Sequence, residues 1–296
     1  MHIPSEMLST SVCPVTAAVA AAGVAASVYA LKTGKFGRAP KAKSFALVSA
    51  AVFGMQMLNY PVWNGISGHL IGGVFAAAIL GVPAAVLSIA LVLLVQTLLF
   101  ADGGILMLGA NILNMSLIGA GVGGLIFYRL EKKGVGEGYS AFAASALSVL
   151  LASMALAAEL IFSGKGGWEA PSLLVAVHAA LAVVEGAATA VLIKIVGARD
   201  GAEMSRRSVY ILAGAVLIAL CAAPFASAFP DAFEWTMENF NLLPDAPNFT
   251  NAPFADYAVA SLGDGFMSAF AAGAIGAAAV ALASFALYPI FSKFGK

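Results

Sequence analysis

Charge is scarce in this chain. Only 10% of its 296 residues are Asp, Glu, Lys or Arg, against roughly 25% in a soluble domain, which excludes an ordinary water-soluble globule. Cysteine is scarcer still. Cys13 and Cys221 both lie in apolar runs, where a thiol behaves as a small hydrophobe, so no disulfide is expected. No Lys or Arg precedes the first apolar stretch, so no cleavable signal peptide is expected, and cleavage there would discard His2. No Gly-x-x-x-x-Gly-Lys-Ser/Thr loop occurs, so the chain is not expected to hold ATP in that manner. Histidine is limited to His2, His69 and His178, so the position of each carries information.

What remains is 61% apolar. A helical membrane crossing needs about 20 such residues. Runs bounded by Gly, Pro and charge clusters predict about nine segments, roughly 11–31, 44–60, 68–81, 83–101, 105–129, 139–162, 171–197, 208–228 and 265–292. The third is short and rich in glycine (Gly68, Gly72, Gly73 and Gly81), so it reads as partly re-entrant or as a short helix entered from a buried loop. The expected fold class is an all-α polytopic helical bundle.

The basic residues orient it. Lys32, Lys35, Arg38, Lys41, Lys43, Arg129, Lys132, Lys133, Lys194, Arg199, Arg206, Arg207, Lys293 and Lys296 all fall on one side of a nine-span chain, and Lys165 alone on the other. The positive-inside rule then puts the N-terminus outside and the C-terminus in the cytoplasm. The outer side also receives a stretch at 229–264 that lacks Lys and Arg but carries Asp231, Glu234, Glu238, Asp245, Asp256 and Asp264. Such a surface raises local cation concentration, although solvated loop charge accounts for it equally.

His2 directly follows the α-amine of Met1. The amine, the deprotonated His2 amide and the imidazole Nδ1 can close a five- and a six-membered chelate ring on one ion. A fourth in-plane position remains, which a second imidazole could fill. An N4 square plane suits Ni(II) or Cu(II) and would be unusual for Zn, Mg or Ca. His69, in Gly65-Ile66-Ser67-Gly68-His69-Leu70, shares the outer side with His2, so the two could meet without either crossing the membrane.

Polar residues and glycines crowd three stretches where lipid would forbid them: Gln56–Gly73, with Asn59 and Ser67, then Gln96–Gly104, with Asp102, and Gly109–Met115, with Asn111 and Asn114. Irregular backbone at membrane depth must be buried in protein or line a cavity. Asn111 and Asn114 are three apart and predicted to share a helical face. Asp102, Asn111 and Asn114 are expected to orient loop and ligand by hydrogen bonds, with helix packing as the other reading of the two Asn. His178 and Glu185 sit seven apart in the seventh segment, about 10 Å along one face. A relay, a partner contact and a satisfied structural pair all fit them. Glu159 carries the same ambiguity. The series Ala18, Ala22, Ala26 and Ala30 suits either helix docking or internal packing.

The stretches MHIP, QMLNYPVWNGISGHLIGG, QTLLFADGGILMLGANILNM and HAALAVVEGAATA resemble the CbiM/NikM family, the substrate-capture (S) components of energy-coupling-factor transporters for cobalt and nickel. The resemblance spans roughly residues 1–205. It implies a metal held by the Met1 amine, the amide and ring nitrogens of His2, and a ring nitrogen of His69, with Asn59, Ser67, Asp102, Asn111 and Asn114 supporting the loops. Ile66 stands where the family commonly has Thr, which removes a hydroxyl and no ligand. Residues 206–296 resemble a fused accessory NikN/CbiN-like part with a Pro-Asp-Gly-Leu-Glu signature. Here it reads Pro230-Asp231-Ala232-Phe233-Glu234, and Asn251–Tyr257 fits the same region better. The resemblance further implies Ni(II) or Co(II) as transported substrate, a transmembrane coupling (T) subunit and ABC-type ATPase subunits as partners, and the plasma (inner) membrane of a prokaryote as location. A transporter subunit, not an enzyme, is expected, with no nucleic-acid partner.

Two other readings compete. A self-sufficient divalent-cation channel or secondary transporter would need no partner. Gly65-Ile66-Ser67-Gly68 also fits the G-x-S-G pattern of rhomboid-type intramembrane serine proteases, with His178 as general base, but that leaves His2 and His69 unexplained.

Overall fold

A computed structural model describes residues 1–34, 39–63, 65–199, 201, 203–243, 252–263 and 265–292. Lys35, Arg38, Asn64, Asp245, Asn251, Asp264, Lys293 and Lys296 lie outside the described residues. Apolar residues without strong periodicity dominate every long segment, so the helices present apolar surface all round, as a bundle in lipid requires. The elements are α1 (Val12–Thr33), α2 (Ala42–Met57), a hairpin of β1 (Tyr60–Trp63) and β2 (Ile66–Gly68), α3 (Gly73–Leu80) and α4 (Val82–Phe100). A continuous rod at 105–132 follows, built from a 3-10 turn, α5 (Leu108–Asn111), a π-helical segment Ile112–Val122 and α6 (Gly123–Lys132). Then come α7 (Glu137–Phe162), α8 (Glu169–Val196), α9 (Arg206–Ala222), α10 (Ala232–Asn239) and α11 (Phe266–Ser292).

All nine apolar stretches of the sequence contain a helix. Among the described residues seven are long and apolar enough to cross a membrane: Val12–Thr33, Val82–Phe100, Ile105–Lys132, Glu137–Phe162, Glu169–Val196, Arg206–Phe225 and Phe266–Ile290. The molecule is therefore an all-α polytopic membrane protein. α2 is shorter, at 16 residues. α3 has 8, all buried, and at 1.5 Å per residue it covers about 12 Å of a hydrocarbon core about 30 Å thick. The segment expected at 68–81 is thus a short buried helix preceded by a loop and hairpin. Its start lies hard against the π-helical segment: a Cβ on Gly73 would come within 2.6 Å of the Gly119 carbonyl carbon. Gly81 (φ 82°) then turns the chain into α4.

α7 and α8 pack along each other, while α9 and α11 pack on α2, and α11 also reaches α4. The C-terminal helices therefore lie against the N-terminal part of the chain. One end of the bundle gathers ion pairs of Arg199 with Glu131 and, at 2.6 Å, with Glu137. The other end holds the chain start, where Ser9 N–H donates to Ser163 Oγ at the α7–α8 turn at 3.0 Å.

Candidate metal centre

The first residues of the chain are built into the core. Met1 and His2 are buried and Ile3 is fully so. Ile3 N–H donates to Asn111 Oδ1 at 2.9 Å, and Gly104 N–H donates to Ile3 O at 2.8 Å. Gly104 has to be glycine for steric reasons: a Cβ there would sit 2.6 Å from Ser5 N. The FADGG stretch and the Asn111 amide thus grip the third residue and aim the first two inward.

Inside, the Met1 amine lies 3.1 Å from His69 Nε2. Two cis donors on one metal with bonds of about 2.0 Å stand about 2.8 Å apart, so this pair is already close to a chelating separation. His69 Nε2 faces an ammonium, which only donates, so Nε2 bears the lone pair. The loop carrying His69 is held by Glu185: Ile71 N–H and Gly72 N–H each donate to its carboxylate at 2.9 Å. Gln56 Nε2 donates to Ile71 O at 2.8 Å on the other side. Burial pushes the His69 pKa well below its usual value, and the N-terminal ammonium adds to that.

The His2 and His69 rings lie with centroids 5.0 Å apart. His2 Nε2 is 3.3 Å from Gln96 Oε1, and its Nδ1 is 3.3 Å from Asp102 Oδ1. Burial lowers the His2 pKa, against the pull of Asp102 the other way, so the neutral ring is favoured. In the chelate expected from the sequence, Nδ1 would give up Asp102 for the ion.

Two further groups reach the site from the C-terminal part. Asp231 Oδ2 accepts from the Met1 ammonium at 2.5 Å and stands 3.9 Å from His69 Nε2. Burial works against the Asp231 carboxylate, yet the ammonium and His69 outweigh it and hold its pKa below the usual carboxylate range. Glu234 is pushed up to about 6 by burial and by the charge of Asp231. Tyr257 Oη donates to Asp102 Oδ2 at 2.6 Å and accepts from Gln96 Nε2 at 3.2 Å. Asp231 had been visible in the sequence as one acid of a charged loop and as part of the altered Pro-Asp-Gly-Leu-Glu signature, not as a site residue. Tyr257 and Gln96 were visible only within longer motifs.

The remaining candidates divide. Ser67, fully buried, donates through Oγ to Phe229 O at 2.7 Å and through N to Pro230 O at 2.9 Å, so it joins the β-hairpin to the C-terminal part. Asn59 accepts from Ser227 N–H through its backbone carbonyl at 2.9 Å. Asn111 and Asn114 do not serve one neighbour. Asn111 grips Ile3, whereas Asn114 donates to Glu159 at 2.9 Å. The π-helical winding that begins at Ile112 changes the angular step per residue, so a three-residue spacing no longer keeps both on one α-helical stripe. His178 donates from Nδ1 to Leu174 O at 2.8 Å and, with Glu185, lines a cavity of about 20 Å³ that Met1, His69 and Asp231 also line.

A larger cavity of about 390 Å³ opens above, lined by residues that include His2, Asn59, His69, Asp102, Asp231 and Tyr257. No cluster of three or more His, Cys, Asp or Glu side chains able to hold a metal occurs among the described residues. A site here needs backbone nitrogens as donors, and the Met1–His2 terminus provides them.

Two inward-facing imidazoles thus stand beside a buried amine at one end of a polytopic membrane helical bundle. The family described as cobalt uptake substrate-specific transmembrane region, CbiM, matches residues 2–201, and the PDGLE domain matches residues 205–293. The chain belongs to the CbiM family and carries a PDGLE domain behind the CbiM region. It is similar to the fused nickel transport protein NikMN of Rhodobacter capsulatus, 38% identical over 138 residues, covering 47% of this chain and 39% of that one. It is also similar to the cobalt transport protein CbiM of Kyrpidia tusciae, 32% identical over 156 residues, covering 50% and 63%. A crystal structure of a transition metal transporter superposes with a TM-score of 0.58 at 29% identity, covering 66% of this chain and 91% of that one. The chain spans 66% of the length of an Archaeoglobus fulgidus relative that it matches at 34% identity over 201 residues.

Proposed function

We propose that this protein is the substrate-capture component of an ATP-driven energy-coupling-factor importer for Ni(II) or Co(II). The ion is held in a square plane of four nitrogens: the Met1 amine, the His2 amide, His2 Nδ1 and His69 Nε2. The observation that carries this reading is the 3.1 Å separation of the Met1 amine from His69 Nε2 in a buried setting. The names of the relatives, nickel and cobalt transport proteins, favour the same two ions. The cavity of about 390 Å³ exceeds the roughly 180 Å³ that six waters fill at about 30 Å³ each. A hydrated ion fits above the site and sheds water as the nitrogens take over.

The chain would cross the membrane nine times, the third crossing made by α3 together with the loop before it, with its N-terminus outside and its C-terminus in the cytoplasm of a prokaryote whose plasma (inner) membrane it occupies. Residues 1–205 form the metal-capturing part and 206–296 the accessory part. Asn111 and Asp102 position the terminus and His2, Glu185 and Gln56 position the loop of His69, and Ser67 and Asn59 tie the hairpin to the accessory part. Asn114 braces α7 through Glu159. A coupling (T) subunit driven by two ABC-type ATPase subunits reorients the bundle and releases the ion. His178 and Glu185 lie below the ion on the inward side, where a release path would begin.

X-ray absorption and metal analysis of the purified chain with Met1 as its first residue test the site: four light-atom neighbours in a plane are expected, and a tetrahedral or oxygen-dominated shell overturns it. Uptake in vesicles tests the transport role. The chain alone should show no sustained ATP-dependent accumulation, and such accumulation would support a self-sufficient transporter instead.

A further inference from the structure

We propose that the PDGLE domain completes the metal site, Asp231 holding the Met1 amine and Tyr257, through Gln96, setting the tautomer of His2. The inference rests on the N4 reading above and adds two positioning residues from outside the coordination plane.

The sequence Pro230-Asp231-Ala232-Phe233-Glu234 is a capping box at the start of α10. Asp231 Oδ1 accepts from Phe233 N–H and Glu234 N–H at 2.8 and 2.9 Å, and Glu234 Oε2 accepts from Asp231 N–H at 3.1 Å. Such a box fixes both the backbone and the carboxylate. One oxygen of Asp231 is used by the helix, and the other, Oδ2, is left pointing at the Met1 ammonium at 2.5 Å. The docking is reinforced where Ser67 bonds Phe229 O and Pro230 O. A coordinated amine keeps two N–H bonds, so Asp231 can go on accepting from it after the proton leaves. The amine is thereby held near its bonding position beside His69 before the ion arrives.

Tyr257 acts on the other ligand. Its hydroxyl has one proton, which goes to Asp102 Oδ2 at 2.6 Å, so it must accept from Gln96 Nε2 at 3.2 Å. That turns Gln96 Oε1 toward His2 Nε2 at 3.3 Å. An amide oxygen only accepts, so the Gln96 bond needs the ring proton on Nε2, while the Asp102 carboxylate 3.3 Å from Nδ1 competes for it. Once an ion displaces Asp102, the Gln96 bond keeps the proton on Nε2 and leaves the Nδ1 lone pair free. Nδ1 is the nitrogen that closes the six-membered chelate ring. The Tyr257 ring is held in register by stacking on Phe100, centroids 4.6 Å apart and planes 17° from parallel.

Asp231→Asn and Tyr257→Phe test this in the purified full chain. Asn caps a helix as well as Asp, and Phe preserves the stack on Phe100, so each variant removes the proposed contact and leaves the fold in place. Partners that orient a metal ligand typically change affinity by about 10–100-fold when removed, and a loss of that size in Ni(II) affinity is expected for each. At saturating Ni(II) the ligand-field absorption band should match the wild type, because the four donors are unchanged. Unchanged affinity in both variants overturns the inference, as does tighter binding, which would make Asp231 a competitor for the amine. A shifted band also overturns it, because the residue would then be a ligand. A chain extended by one residue before Met1 is titrated alongside. If the extension leaves affinity and band intact, the N4 reading fails and this inference falls with it. If the extension abolishes tight binding while both variants bind normally, only this inference fails.

Discussion

Ile3 N–H donates to Asn111 Oδ1 at 2.9 Å, a bond across 108 residues of chain. It joins the start of the protein to the rod at 105–132, and Met1 and His2 cannot withdraw from His69 while it stands. Asn111→Leu removes the acceptor and strands a buried N–H. Such a loss costs about 1–3 kcal/mol, or roughly 5–150-fold in an equilibrium constant. Nickel titration of the variant should show an affinity decrease within that range, with the helical content by circular dichroism unchanged.

The chemistry proposed for Met1 makes the α-amine indispensable. One residue added before Met1, or a retained formyl group, should abolish high-affinity Ni(II) binding by equilibrium dialysis. A C-terminal tag, at the opposite end of the accessory part, should leave it as it was.

Two of the histidines should rank clearly. His69→Ala removes a donor that no neighbouring imidazole can replace, while His178→Ala removes a ring bonded to Leu174 O in the wall of a small cavity that Met1 and His69 also line. Ni(II) affinity should fall far more for His69→Ala. The reverse order would place the site lower in the bundle.

Metal binding should strengthen as pH rises. Burial lowers the pKa of both His2 and His69, so near neutrality their rings are already unprotonated and give up nothing when the ion arrives. The protons released come from the ammonium of Met1 and the amide of His2, and release of protons makes affinity climb with pH. Titrations in several buffers of known ionisation enthalpy should count about two protons near neutrality. Affinity that stays flat from mildly acidic to mildly alkaline pH would be incompatible with a bound amide nitrogen.

Much of the fold was legible because hydropathy acts locally. Each apolar stretch read from the sequence contains a helix, and the glycine-rich 68–81 stretch became the short buried α3 with a loop before it, as its length and glycines suggested. His2 and His69 were legible as partners because their chemistry is rare in so apolar a chain. Asn111 and Asn114, expected on one face, take different partners, Ile3 and Glu159, beside a π-helical winding that no three-residue spacing announces.

Asp231 and Tyr257 were not legible as site residues. Asp231 read as one of several loop acids and as part of an altered signature, and Tyr257 as the end of a second stretch fitted to the same region. Their contacts to Met1 and Asp102 cross 230 and 155 residues. Sequence by itself determined the membrane class, the helical stretches and a nitrogen-rich terminus, since each follows from residue types over a few turns of chain. Only the tertiary structure decided which acid meets the amine and which groups face each nitrogen of the His2 ring, because those depend on how α10 and the 252–263 stretch dock against the first residues of the chain.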